Sequence, residues 1–363
     1  MPAVSFGEPL ITYRSDLSTL YRVFKKIARP IRSHIIKVEG DFPAGSPRLE
    51  KRPRRVGKVN IEERLIEIGT GAKSCSIIKE EKLWVYEFLS PTSSTSDRSK
   101  FEIKGNHIVY FFAGGGFVQP AASEQWKFCA YLASSLAQEG VRVVLISYPL
   151  APNSPAKDSL PLLRRWLAQA LREAEAENST VSLVGDSAGG NIALSLALWW
   201  ADQLALRSKV EATEVATRSS LRSILMISPP LDMRVINPDI ARVDEWDPIL
   251  GKANAENAAR NWSRGSDTSD PYLSPVLSDL AALRTSGVLV NCIIGMHDVL
   301  APDVMVFLEK CRKRGVKGEW LLWEGMMHDF PLAARYGLQE GKEARAWVLE
   351  SLRSVSRSSD KSE

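Results

Sequence analysis

Cysteine and histidine are both scarce in this chain of 363 residues, with four of each. Cys75, Cys129, Cys292 and Cys311 lie far apart and form no CxxC pair, which excludes a disulfide-dense scaffold and fits a reducing compartment. With so few histidines and no clustering of histidine and cysteine, neither a structural nor a catalytic zinc site is expected. No stretch reaches the roughly 18 consecutive apolar residues that a membrane-spanning helix needs. The first residues include Glu8 and lack a long apolar core, so no signal peptide is expected and the expected location is cytoplasmic.

Charge of either sign is also in small excess, with a net of +4, but it is unevenly placed. Residues 1–60 carry 13 Lys and Arg against 5 Asp and Glu, so the body is mildly acidic and the N-terminal part basic. The run Lys51, Arg52, Pro53, Arg54, Arg55 reads as a solvated surface loop, with peripheral contact to a membrane as the other use of such an arm. No nucleic-acid partner is expected. A composition of 44% hydrophobic and 25% charged residues suits an ordinary globular enzyme.

Residues 16–29 place Leu17, Leu20, Tyr21, Phe24, Ile27 and Ala28 at helical spacing opposite Arg22, Lys25, Lys26 and Arg29, with Pro30 as the stop. Residues 40–60 and 91–100 read as surface connections. From about residue 105 the pattern is regular. Apolar runs at 107–112, 141–148, 181–185, 223–228, 288–294 and 319–323 alternate with helical stretches, which predicts an α/β fold with a mostly parallel central sheet and helices on both faces. Residues 230–275 break the alternation and read as an inserted cap. The expected division is therefore a basic arm and cap helix over 1–60, a core over 61–229 and 276–358, and a cap insertion over 230–275.

The segment Gly185, Asp186, Ser187, Ala188, Gly189 fits G-x-S-x-G between a strand and a helix, a context in which a sharp turn lifts a serine hydroxyl clear of the backbone. Such a hydroxyl needs a base. His34 lies in the basic arm and His107 starts a strand, which leaves His297 and His328. His328 follows the strand at 319–323 and is the expected base. Asp298, after the strand at 288–294, is the expected residue that orients it, with His297 and Asp303 as lesser alternatives for base and carboxylate. The run Ala113, Gly114, Gly115, Gly116, Phe117 follows a strand and offers backbone N–H groups to an oxyanion, together with that of Ala188. A phosphate loop fits it poorly, because neither GK[ST] nor the full GxGxxG spacing is present. No cofactor is implied.

These blocks, with ISYPLAP at 146–152, SPPLD at 228–232, DPYLSP at 270–275, GMHD at 295–298 and GMMHDF at 325–330, resemble the hormone-sensitive-lipase-like branch of the α/β hydrolases. The resemblance covers roughly residues 105–355. It implies an α/β-hydrolase fold, a helical cap and an esterase, lipase or deacetylase activity, with Gly115, Gly116 and Ala188 as the oxyanion hole. A cap holding Trp246 and Trp262 implies a hydrophobic ester, such as an acetylated sterol or a natural-product intermediate of fungal type, although such tryptophans belong more often to a core than to a substrate wall. The same triad also serves acyl transfer, product release or condensation, and relatives that lose the base are receptors. The family usually has HGGG where this chain has Ala113. The glycine loop is then expected to rest on backbone contacts and on Phe112 and Phe117, and to be loosely held until a large substrate arrives.

Overall fold

Six runs of β-branched and large apolar residues after position 105 can be buried on both faces only at the centre of a sheet, and the computed structural model places them there. It describes residues 8–32, 38–69, 81–91, 106–211 and 219–359; His34 and Cys75 lie outside these. The strands are β1 (Leu10–Arg14), β2 (Arg55–Val56), β3 (Val59–Ile68), β4 (Glu81–Leu89), β5 (Asn106–Phe112), β6 (Val141–Ser147), β7 (Ser179–Asp186), β8 (Leu221–Ile227), β9 (Leu289–Gly295) and β10 (Glu319–Trp323). They form one sheet in the order β1-β10-β9-β8-β7-β5-β6-β4-β3-β2. Pairing is parallel from β1 to β6 and antiparallel among β6, β4, β3 and β2. The fold is that of an α/β hydrolase.

The helices are α1 (Thr19–Ala28), α2 (Ser123–Ser135), α3 (Ala156–Ala176), α4 (Ala188–Glu211), α5 (Asp239–Asp244), α6 (Lys252–Trp262), α7 (Ala281–Ser286), α8 (Ala301–Arg314) and α9 (Gln339–Ser359). Two clusters of buried apolar side chains cover the two sheet faces. One gathers Leu163, Trp166 and Ile192 from α3 and α4 with Phe307 from α8. The other joins Phe128 and Leu132 of α2 to Val348 and Leu352 of α9.

The first hundred residues depart from the expectation. Four strands lie there where surface connections or no strand were expected. Arg52, in the run expected to be solvated, is mostly buried and pairs with Glu63 of β3 at 3.1 Å, while Arg48 reaches the same carboxylate at 2.5 Å. Helix α1 begins three residues later than the pattern suggests, because Ser18 caps it by accepting from the Tyr21 N–H. Only Tyr21 and Ala28 of its apolar positions are buried, whereas Leu20 and Ile27 face outward at 55% and 65% exposure. Pro30 does not stop the chain's winding at once but sits in a 3-10 turn, Arg29–Ile31, that continues the helix. Residues 230–275 carry α5 and α6.

Candidate active site

Ser187 stands at the end of β7, where the chain must reverse sharply into α4. Its φ is 47°, a left-handed conformation that a serine adopts only when its surroundings enforce it. Two close approaches do so. A Cβ on Gly185 would lie 2.3 Å from the Gly189 carbonyl, and one on Gly189 would lie 1.9 Å from the Phe112 carbonyl oxygen. Only glycine at both positions lets the turn close against β5. The Ser187 N–H donates to the Ile227 carbonyl at 2.7 Å, which ties the turn to β8.

His328 follows β10 and is buried. Its Nε2 lies 3.0 Å from the Ser187 Oγ, and its Nδ1 lies 2.9 Å from Asp298 Oδ2. Asp298, fully buried after β9, also accepts the Leu300 N–H at 2.9 Å, so its carboxylate is held from two sides. Serine, imidazole and carboxylate thus form one hydrogen-bonded line across the C-terminal ends of β7, β9 and β10, where open parallel sheets gather ligands. Burial disfavours the imidazolium, but the Asp298 and Asp329 carboxylates outweigh it and hold the His328 pKa well above its ordinary value.

The lesser candidates lie elsewhere. His297 is wedged between Lys25, whose amine contacts Nδ1, and Glu324, 3.4 Å from Nε2, and its ring packs against Trp246 with centroids 4.8 Å apart and planes tilted by 32°. Burial and the Lys25 charge push its pKa down. His107 is buried within the sheet with both nitrogens bonded, to Thr180 Oγ1 at 2.7 Å and Ser182 Oγ at 2.9 Å. Asp303 lies in the first turn of α8, where its Oδ1 accepts from Asn237 at 2.8 Å.

A family model for the α/β-hydrolase fold matches residues 108–332, more than half of the chain. The chain belongs to the α/β-hydrolase family. An esterase of Acinetobacter venetianus is 24% identical to it over 252 residues, 69% of this chain and 76% of that protein. Probable carboxylesterase 6 of Arabidopsis thaliana is 27% identical over 281 residues, 74% of this chain and 76% of that protein. Among solved structures, an esterase from the bacterial hormone-sensitive lipase (HSL) family shares the fold with a TM-score of 0.57 at 21% identity, over 81% of this chain and 84% of that one. That structure comes from the same hormone-sensitive-lipase branch that the sequence blocks resemble.

In this α/β hydrolase the glycine loop is more firmly held than its sequence suggests. Gly115, Gly116 and Phe117 have φ of 128°, 60° and 64°, so three successive residues have positive φ. Among the described residues the N–H groups of Gly115, Gly116 and Ala188 donate to no protein acceptor. The base of the loop hangs on Asp186, whose Oδ1 accepts the Gly114 N–H at 3.0 Å while Oδ2 accepts Gln125 Nε2 at 2.9 Å. Tyr148 donates to the Ala113 carbonyl at 2.8 Å, and the Phe117 carbonyl accepts the Ala151 N–H at 2.9 Å. Phe117 stacks on Trp262 with ring centroids 4.5 Å apart and planes 8° from parallel.

The expected supports of the loop, backbone contacts and Phe117, are present, and further side chains add to them. Ala113 is buried, and the loop's anchors come from Asp186, Gln125, Tyr148 and Trp262. Sequence reasoning missed these because nothing but adjacency to Ser187 marks Asp186, and the others are remote in the chain. Neither Trp246 nor Trp262 lines the cavity, in keeping with the expectation that such tryptophans are more often core than substrate wall; Trp262 packs behind Phe117.

The cavity over Ser187 has a volume of about 510 Å³. Ile240, Leu250 and Ala258 from the 230–275 segment, Leu300 from α8's start, and Phe24 from α1 supply apolar walls. The carboxyl groups of Glu124, Asp232, Asp303 and Asp329 also border it. Burial, aided by Asp329, raises the Asp186 carboxyl to about 7, and burial with the nearby Asp298 does the same for Asp247.

Proposed function

We propose that this carboxylic ester hydrolase works through an acyl-enzyme on Ser187 and takes the ester of a hydrophobic small molecule. The observation that carries the reading is the continuous line Asp298, His328, Ser187, with both hydrogen bonds at 3.0 Å or less. The Ser187 oxygen attacks the ester carbonyl while its proton passes to His328 Nε2, and Asp298 holds the opposite ring nitrogen so that the accepting one faces serine. Charge develops on the former carbonyl oxygen. The N–H groups of Gly115, Gly116 and Ala188, free of protein acceptors among the described residues, are the donors that would receive it.

Collapse of this intermediate returns the proton to the leaving alcohol and leaves the acyl group on Ser187. Water, deprotonated by the same nitrogen, then releases the acid. The walls of Ile240, Leu250, Leu300 and Phe24 favour an apolar acyl or alcohol part, because transfer of such surface out of water is the main gain the cavity offers.

Ser187→Ala is expected to lower kcat on a carboxylic ester by up to about a million-fold and to abolish labelling by a fluorophosphonate. A protein that keeps near-wild-type turnover after this substitution does not use Ser187, and the mechanism is then wrong.

A further inference from the structure

Asp329 directly follows the base, borders the cavity and has no part in the scheme above. Its φ of 49° turns the chain back on itself, and its N–H donates to Ser228 Oγ at 3.1 Å. The turn carries its carboxylate to the reactive side of the imidazole, with Oδ2 3.2 Å from His328 Nε2. The same nitrogen is 3.0 Å from the Ser187 Oγ. One ring nitrogen cannot both accept the serine proton and donate its own proton to Asp329.

The other carboxyls of the cavity are engaged: Glu124 with Tyr336, Asp232 with Arg234 and Asp303 with Asn237. Asp329 differs, because its buried Oδ1 has no hydrogen-bond partner among the described residues. A carboxylate with one enclosed, unpaired oxygen is short of donors, so a ligand donor is favoured at the part of Asp329 that stays open to the cavity, 19% of its side chain. No Lys or Arg is among the described residues that line the cavity. A cationic or hydroxyl-bearing ligand therefore meets no competing charge there.

Resting on the assignment of Ser187 and His328 made above, we propose that Asp329 is a positioning residue: it keeps a proton on His328 Nε2, so that this nitrogen cannot accept the Ser187 proton, until an ammonium or hydroxyl group of the ester engages the carboxylate, and the site therefore selects esters bearing such a donor. In the free site the Nε2 proton is shared with Asp329. When the substrate's donor takes over the carboxylate, that proton leaves to water, and the neutral nitrogen accepts the serine proton. The direction of the His328 shift agrees, since Asp329 is among the groups that favour the imidazolium.

Asn and Gly both tolerate the left-handed backbone, so Asp329→Asn and Asp329→Gly keep the turn. The probes are 2-(dimethylamino)ethyl butyrate, cationic near neutral pH, and the isosteric neutral 3-methylbutyl butyrate. The wild type should favour the cationic ester by about tenfold or more in kcat/KM, and both variants should bring the ratio to within about twofold. With the neutral ester, the acid limb of kcat/KM should move down by about one pH unit or more in Asp329→Asn, because a carboxylate beside the imidazole raises its pKa. Asp298 faces the other ring nitrogen, Asp247 lies behind Asp298, Asp186 lies near Asp329, and Glu124 borders the cavity; all are common to both proteins, so the difference between the two profiles belongs to Asp329.

A wild type without preference for the cationic ester, a preference kept by both variants, or an acid limb that stays in place would each overturn the proposal. Hydrolysis of either ester by Ser187→Ala would instead overturn the assignment beneath it.

Discussion

Asp186 and Asp329 flank the reacting pair in the sequence, one just before Ser187 and one just after His328, yet the structure treats them in opposite ways. Both carboxyls have a pKa raised chiefly by burial, although Asp186 is fully enclosed and the Asp329 side chain is 19% exposed. Asp186 has both oxygens bonded, to the Gly114 N–H and to Gln125, and it fixes a loop. Asp329 has one oxygen on the base and one without a partner among the described residues. A satisfied buried carboxyl is an anchor, whereas an unsatisfied one at a cavity is a contact waiting for a ligand.

The comparison is broken most severely by removing the anchor. Asp186→Ala strands the Gly114 N–H and Gln125 and releases the segment that carries Gly115 and Gly116, so kcat should fall by about 10² to 10³, the cost of losing an oxyanion donor. Steady-state kinetics on any turned-over ester checks this, with melting to confirm that the protein is folded. A loss below about threefold would mean that Tyr148 and the Phe117–Trp262 stack hold the loop without Asp186.

A smaller effect is expected at Ala113. Its side chain is buried in the cluster that also holds Phe111 and Trp126, and the void beside it measures only about 10 Å³. Ala113→His should therefore overpack the site and destabilise the protein by about 1–3 kcal/mol in denaturant unfolding, with no gain in turnover of small esters. A gain in turnover would revive the idea that this loop lacks a support.

The mildest consequence concerns stability against pH. The Asp186 carboxyl titrates at about 7 in the folded protein and at about 4 when unfolded. Because the folded value is the higher one, its contribution is fully present below about pH 4 and is lost as pH rises towards 7. Asp186→Asn, which cannot ionise, should flatten the fall in unfolding free energy across that window. An unchanged slope would assign the whole effect to other groups such as Asp247.

The central strands were legible because each is an apolar run bounded by turns, and the order of Ser187, Asp298 and His328, each just past a strand, was legible for the same reason. β3 and β4 were not. Their antiparallel pairing leaves Glu62, Arg64 and Glu67 on exposed or half-exposed positions, so Asn60–Ile68 shows no continuous apolar signal. β1 was hidden by its exposure: it is an edge strand whose partner, β10, lies at the far end of the chain. The closeness of Asp329 to Nε2 was invisible as well, since it depends on a left-handed turn at a residue that is not glycine.

That N-terminal edge has a consequence for the order in which the protein becomes active. The Glu324 N–H donates to the Arg14 carbonyl at 2.7 Å, Trp323 Nε1 donates to the Asp16 carbonyl at 2.8 Å, and Tyr21 donates to the Gly325 carbonyl at 3.1 Å. The loop that presents His328 is thus braced by Arg14, Asp16 and Tyr21, some three hundred positions earlier in the chain. On a chain made N-terminus first, β1 and α1 have no seat until β10 has emerged, some three hundred residues later. The residues that form the nucleophile's turn are made before those that carry and brace the base. Completion of the site therefore waits on a contact between segments some three hundred residues apart.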